Sequence, residues 1–161
     1  MFLMADEIRN VFISHIHEDD ADLGKLKDLL ARQGCAIRDA SITSDKPNDA
    51  NNPEYIKTQV LAPGIQWSST LIVYITPETH NSEWVNWEIE YAQKLGKRIV
   101  GVWAHGASEA NLPSALDKYA DAVVGWNGES ILAAISGETT EWIISSGNAR
   151  APQPIARYSC R

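Results

Sequence analysis

The sequence predicts an α/β fold built on a central, mostly parallel five-stranded sheet with helices on both faces. Short apolar runs alternate with segments of helical periodicity along the chain, a pattern that favours strand–helix–strand units. The runs are continuously apolar, as is expected of strands that are covered on both faces. They comprise residues 10–14, 35–38, 70–75, 98–103 and 122–124.

Helical segments separate these strands. Leucines recur at helical spacing after the first run, and Gly34 follows them where a glycine commonly ends a helix. Asn52 and Pro53 are suited to begin a second helix, which we expect Pro63 and Gly64 to disturb. Three further helices are predicted at residues 82–95, 113–119 and 129–135.

The length of 161 residues is typical of one domain, which we expect to span residues 1–145. Residues 146–161 form a tail containing proline and arginine that is expected to run extended along the surface or to be loose. Residues 39–52 are rich in Ser, Asp, Asn and Pro, a composition that predicts a surface loop.

The composition excludes several classes of function. Fourteen Lys and Arg residues oppose 21 Asp and Glu, and the net charge of −7 argues against nucleic acid as a partner, because phosphate binding needs clustered cations. Two cysteines cannot build a disulfide scaffold, and the N-terminus lacks the features of a signal peptide. No window approaches the ~18 apolar residues of a membrane span. We therefore expect a cytoplasmic protein that binds neither membranes nor nucleic acid.

The helix at residues 82–95 carries one polar residue on its apolar side. On a helical wheel with Trp84 at zero, the apolar residues fill one arc, and Glu88 falls inside it at about 40°. A carboxylate there is desolvated, which costs free energy unless it has a buried partner or a function. Trp84 and Trp87 flank it with flat aromatic surface that suits a heterocyclic cation, although core packing is the expected role of at least one of them.

Several segments together resemble TIR domains. The string W-V-N-W-E at residues 84–88 has the family's W-x-x-x-E arrangement, and Ser82 precedes it as in the pattern S-x-x-x-x-x-E. Residues 11–15 resemble the family's first strand, residues 69–75 resemble its third, and the loop at 39–52 lies where the family has its BB loop. The resemblance covers about residues 10–136 and is strongest to TIR-like proteins of the bacterial Thoeris antiphage type.

The resemblance implies a flavodoxin-like fold and cleavage of the nicotinamide–ribose bond of NAD+, with NAD+ as the substrate and with no further cofactor or metal. Carried over by position, Glu88 is the catalytic glutamate, Ser82 and Trp84 shape the pocket, and Ser14 and His15 bind substrate at the end of the first strand. Open α/β sheets bind ligands at that edge, which supports the position independently. Trp84 replaces the Ser-x-x-Cys of better-known TIR domains, which leaves open whether the reaction is hydrolysis or cyclisation.

The resemblance also implies partners. In TIR-like enzymes the loop corresponding to 39–52 helps neighbouring copies to pack, so we expect self-association and weak activity of the dilute monomer. A nucleotide product made in antiphage defence would be sensed by a downstream effector.

Other functions stay open at this stage. A TIR scaffold could act by self-association without catalysis, and a nucleoside deoxyribosyltransferase on this fold would also use a glutamate. The string at residues 15–20 approaches the H-x-H-x-D-H motif of zinc hydrolases, but Asp20 stands where the third histidine belongs. A receiver domain is excluded because no aspartate ends the strand at 70–75 and no lysine ends that at 122–124.

Overall fold

Five parallel strands form the centre of the protein in a computed structural model, which describes residues 7–16, 21–39, 61–104, 112–138, 142–143 and 149–150. They are β1 (Glu7–Ser14), β2 (Cys35–Asp39), β3 (Thr70–Ile75), β4 (Arg98–Trp103) and β5 (Ala122–Val124). The α/β class and the five predicted strands are thus confirmed, although β1 begins three residues earlier than the apolar run.

Two short strands extend this sheet beyond β5. These are β6 (Trp142–Ile143) and β7 (Ala149–Arg150), and the order of the described strands is β2-β1-β3-β4-β5-β6-β7. β6 pairs parallel to β5, and β7 pairs antiparallel to β6. The sequence does not predict them, because a run of two residues has no periodicity to detect. The two residues of β7 belong to the expected tail, the rest of which lies outside the described residues.

In the part of the chain that the structure describes, five α-helices cover the two faces of the sheet. They are α1 (Leu23–Ala31), α2 (Ala62–Trp67), α3 (Glu83–Lys94), α4 (Ser114–Tyr119) and α5 (Gly128–Ile135). The apolar side chains of α1 and α5 belong to one buried cluster, and those of α2, α3 and α4 belong to the other. The protein therefore has the three layers of an open α/β sheet.

One helix differs from its sequence prediction. α2 runs through Pro63 and Gly64, which we expected to disturb a helix here. Pro63 stands in the first turn, where its missing N–H costs little because amides there have no partner within the helix. The predicted start of this helix at residues 52–60 lies outside the described residues, as do residues 40–52 of the predicted loop. Asp39, the first residue of that predicted loop, instead pairs with Val11 as the last residue of β2.

The strand order places a topological switch point at the carboxyl ends of β1 and β3. β2 pairs with β1 on one side, and β3 pairs with β1 on the other side. The order in which successive strands are added to the sheet therefore changes direction at β1. α1 follows β1 on one face, whereas α2 precedes β3 on the opposite face. In open α/β sheets ligands bind at such a switch point, because the diverging connections leave a gap there.

Alternation along β1 determines which side chain faces this gap from below. Val11 and Ile13 point into the layer formed by α1 and α5. Phe12 points into the opposite layer, formed by α2, α3 and α4. Ser14 lies two residues after Phe12 and therefore faces the same layer, beside Val73 of β3. A polar side chain is thereby placed at the bottom of the gap, on the side covered by α3.

Gly101 lets α4 pack closely against the sheet. A Cβ atom at this position would lie 3.0 Å from Cδ2 of Leu116 and 3.1 Å from Cδ1 of Ile75. Neighbouring side chains therefore already occupy the space that a side chain at position 101 would need.

We predict that Gly101→Val lowers the free energy of unfolding by about 1–3 kcal/mol, because the added methyl groups overpack this contact. Chemical denaturation measures the change. Gly24→Ala is the matched control, since Gly24 is exposed on α1 and an added Cβ atom would meet nothing within 4 Å beyond its chain neighbours and the helix backbone. This substitution should stabilise the protein by up to about 1 kcal/mol. A Gly101→Val protein of unchanged stability would contradict this account of the packing.

Candidate active site

Local hydrogen bonds fix where α3 begins and ends. The hydroxyl of Ser82 accepts a hydrogen bond from the Val85 N–H at 3.1 Å and caps the first turn. Gly96 ends the helix with φ at +72°, a conformation that favours glycine. Between these ends, the amide of Asn86 accepts a hydrogen bond from the Ala115 N–H at 2.9 Å and so links α3 to α4. The helix is therefore held in register with its neighbours.

α3 buries a narrower arc than its apolar pattern suggests. The buried residues are Val85, Glu88, Ile89 and Ala92, which span about 40° to 140° on the wheel. The aromatic and leucine residues between about 300° and 20° lie outside this arc, and Trp84 is accordingly 38% exposed. The prediction that Glu88 lies on the buried side is confirmed.

Ser14 and Glu88 meet where β1 ends. The Ser14 hydroxyl donates a hydrogen bond of 2.6 Å to Oε1 of Glu88. Ser14 is 0% exposed and Glu88 is 6% exposed, so the contact is almost completely removed from water. Within the described part of the chain, Oε2 of Glu88 has no hydrogen-bond partner. A buried polar atom without a partner is unfavourable in a protein interior, and such an atom beside a crevice is suited to a ligand.

Burial dominates the ionisation of this carboxyl group. It raises the pKa of Glu88 from its usual 4.5 to about 8, and the hydrogen bond from Ser14 opposes part of that rise. In the protein alone, Glu88 is therefore mostly the neutral acid at pH 7. Perturbed acids beside a crevice are typical of functional sites.

The other predicted site residues surround Glu88 less directly. Trp84 lies one helical turn before it, towards the carboxyl edge of the sheet, and presents part of its ring to solvent. His15 follows Ser14 directly, and its Nδ1 lies 2.8 Å from the carbonyl oxygen of Ile13. Because a carbonyl only accepts, Nδ1 carries the hydrogen in this contact, and Nε2 is the acceptor in the neutral ring.

Ser82 has a structural task that the sequence motif does not reveal. Its hydroxyl oxygen accepts from the backbone at the start of α3, and its carbonyl oxygen accepts from the side chain of Asn86. Its predicted contact with substrate, like those of Trp84 and His15, stays a prediction.

Two aromatic contacts add features that sequence reasoning missed. Trp87 stacks on Tyr91 with ring centroids 5.1 Å apart, and Tyr91 accepts a hydrogen bond from Gln66 of α2. On the opposite face, the Tyr74 hydroxyl donates to Asp22 at 3.1 Å, just before α1. The only signal for this second pair is a tyrosine in an otherwise apolar strand, since a buried tyrosine hydroxyl needs a partner.

The residues of the zinc-like motif are mostly outside the described part of the chain. Only His15 and Ile16 of the string at 15–20 are described, and no cluster of three or more metal-binding side chains occurs among the described residues. In the same part of the chain, none of the helices has the length and apolar character needed to cross a membrane.

The raised pKa predicts how stability depends on pH. Below pH 4.5 Glu88 holds its proton in both states, whereas between pH 4.5 and about 8 only the unfolded chain releases it. The free energy of unfolding therefore falls as pH rises through this window, by roughly 1 kcal/mol per pH unit, and the contribution is constant above it. Urea denaturation at several pH values should show this fall in the wild-type protein and a flatter profile in Glu88→Gln.

Glu90→Gln is the control for this measurement, because Glu90 lies on the exposed side of the same helix. It should keep the wild-type profile. Parallel profiles for the wild type and Glu88→Gln would mean that Glu88 is not desolvated.

Comparisons with known proteins agree with this architecture. The family model of the Thoeris protein ThsB, TIR-like domain, matches residues 12–109. A search of curated proteins found no match. Two solved structures are similar to this chain at low sequence identity. The TIR domain of the Toll-related receptor TRR-2 from Hydra magnipapillata is 15% identical with a TM-score of 0.49, over 81% of this chain and 94% of that domain. The CMP N-glycosidase BcmB of Clostridium botulinum is 18% identical with a TM-score of 0.47, over 80% of this chain and 98% of that enzyme.

The family match includes the strand that supplies Ser14, the helix that supplies Glu88 and the sheet that brings them together. It extends over more than half of the chain. The protein therefore belongs to the TIR-like domain family of the Thoeris protein ThsB.

Proposed function

We propose that this protein cleaves the bond between nicotinamide and ribose in NAD+, with Glu88 as the catalytic residue. One observation carries the proposal. A buried carboxyl group lies at the switch point of the sheet, and one of its oxygens has no hydrogen-bond partner among the described residues. The family of the chain, and the resemblance of its motifs to TIR domains, support the same chemistry.

The reaction breaks the bond between C1′ of the ribose and N1 of nicotinamide. The bonding electron pair leaves with the pyridine ring, which becomes neutral, and the ribose acquires oxocarbenium character. Water then attacks C1′ and releases a proton to give ADP-ribose, or a nucleophile of the same molecule attacks to give a cyclic product. A carboxylate in a site of low dielectric stabilises the developing positive charge far better than one in water.

The protonation state of Glu88 fits a cationic substrate. With a pKa near 8 the empty site is mostly uncharged at pH 7, which limits the cost of burying the group. A pyridinium ring placed beside Glu88 lowers that pKa, because an opposite charge at short range favours the carboxylate. Binding of NAD+ would then expel the proton and generate the ionised form that the reaction needs.

The neighbouring side chains are suited to hold the rest of the substrate. Trp84 offers a partly exposed ring one turn from Glu88, on which a nicotinamide or adenine ring can stack. His15 follows Ser14 at the carboxyl end of β1, where its ring can lie against the ribose. Ser82 fixes the start of α3 and so positions Trp84.

We further propose that the product acts as a signal in antiphage defence and is sensed by a downstream effector. The proposal follows from the Thoeris family to which the chain belongs. It also includes self-association of the domain. Among the described residues, three large apolar side chains are 38–42% exposed, namely Trp67, Trp84 and Leu95, and they offer surface for contacts between copies.

The proposal predicts that specific activity rises with protein concentration. Nicotinamide release and mass in solution should be measured over one dilution series, and both should increase together. Lys46→Glu, in the loop at 39–52, should weaken both while leaving the circular dichroism spectrum unchanged. Constant specific activity from a protein that is monomeric throughout would show that the pocket is complete within one chain.

Glu88→Gln tests the catalytic role directly. The amide keeps the shape of the side chain but removes the negative charge, and we expect kcat to fall by about 10²–10³. Chromatography of nicotinamide released from NAD+ measures the change. Glu90→Gln, exposed on the same helix, should retain wild-type activity.

Three other outcomes would change the functional conclusion. Normal turnover by Glu88→Gln would remove this residue from the mechanism. An intact NAD+ pool at high concentrations of wild-type protein would favour a scaffold that acts by self-association. Exchange of bases between deoxynucleosides would favour a deoxyribosyltransferase.

A further inference from the structure

We propose that Ser14 is a positioning residue that orients Glu88, and that it does not itself bind substrate. The inference rests on the proposed function and deepens it, because it assigns the two oxygens of the carboxylate different tasks. It also replaces the substrate-binding role that the sequence resemblance implied for Ser14.

Exposure separates the two roles. A side chain that contacts a substrate has some surface to offer it, but Ser14 is 0% exposed beneath Glu88. Its hydroxyl group has one hydrogen, and that hydrogen is donated to Oε1 of Glu88 at 2.6 Å. The side chain of Ser14 therefore offers a substrate neither exposed surface nor a free donor hydrogen.

The contact restricts rotation of the carboxylate. The last torsion of a glutamate side chain is broad, so an unrestrained carboxylate samples many orientations. A short hydrogen bond to the end of β1 fixes Oε1 to the sheet, and Oε2 is left to face the ligand. Ser14 pairs with Val73 of β3, so the sheet holds it as a rigid reference point.

The same contact favours the ionised form. A hydroxyl that donates to a carboxylate stabilises its negative charge, so Ser14 holds the pKa of Glu88 below the value that burial alone would set. Removing the donor should therefore raise that pKa. A residue whose only role is to contact substrate would leave the pKa of Glu88 unchanged in the protein alone.

The pH dependence of kcat/KM for NAD+ cleavage distinguishes the two roles. In the wild type we expect kcat/KM to rise with pH to a midpoint near 8, since this limb reports ionisation in the free enzyme. In Ser14→Ala the midpoint should move up by about 1–2 pH units, the size expected for one hydrogen bond to a charged group. An unchanged midpoint, with kcat/KM lowered by the same factor at every pH, would overturn the proposal and make Ser14 a residue that binds substrate.

Ser68→Ala is the matched control. Ser68 is 1% exposed, and its hydroxyl donates to the carbonyl oxygen of Ile65, away from Glu88. The substitution removes a buried hydrogen bond of the same kind, and the midpoint should not move. A shift as large as that of Ser14→Ala would mean that general loosening of the fold, and not the lost donor, changes the titration.

Two further variants cover the case in which Ser14→Ala does not fold. Ser14→Cys nearly keeps the size of the side chain but has a weaker donor. Its midpoint should shift upward, by less than the midpoint of Ser14→Ala. Ser14→Thr retains the hydroxyl and should restore the wild-type midpoint. A wild-type midpoint in Ser14→Cys, or an alanine-like midpoint in Ser14→Thr, would count against a donor role.

A measurement without substrate separates failure of this inference from failure of the proposed function. The pH window in which stability falls should extend above pH 8 in Ser14→Ala and should keep its wild-type limit in Ser68→Ala. If this shift occurs but no variant cleaves NAD+, the proposed function is wrong although the coupling exists. If NAD+ is cleaved but neither profile shifts, the positioning role is wrong and the proposed function stands.

Discussion

The buried hydrogen bond between Ser14 and Glu88 is the interaction on which the architecture of the site depends. It joins the last residue of β1 to the middle of α3, 74 positions later in the chain. A carboxyl group placed there loses its hydration, and one donor cannot replace it, which leaves the group largely protonated when the site is empty. An apolar residue at position 88 would pack more favourably, so the glutamate is best explained by a task that requires charge to appear only when a cationic ligand arrives.

The surrounding fold keeps that interaction in place. β1 pairs on both sides, and α3 is capped at Ser82 and linked through Asn86 to α4. Both layers below Glu88 are filled with apolar side chains. The site is therefore rigid at its base.

Much of this architecture could be predicted from the sequence, for identifiable reasons. The strand Thr70–Ile75 is buried at all six positions and reads as an uninterrupted apolar run. Gly34 and Gly96, both with positive φ, follow helices as expected. The strands β6 and β7 could not be predicted from the sequence, because two-residue strands form by pairing with a neighbour and have no residue pattern of their own.

The site was predictable one residue at a time but not as a set of contacts. Periodicity places Glu88 on the buried side of its helix, since that property is local. The donor for Glu88 is supplied by another element, so sequence spacing cannot reveal that Ser14 bonds to the carboxylate. The wheel also assigns Trp84 to the apolar side, whereas its position near the start of α3 leaves it 38% exposed. Pairings such as Tyr74 with Asp22 depend in the same way on how the layers meet.

The central claim is that Glu88 is a desolvated acid whose charge is generated by a cationic ligand. Carbon-13 NMR of the side-chain carboxyl, assigned by its absence from Glu88→Gln, tests it most directly. We expect a titration midpoint near pH 8 in the free protein and a lower midpoint when an unreactive carbocyclic analogue of NAD+ is bound. A midpoint near 4.5 in the free protein, or one that does not fall when the analogue binds, would contradict the account.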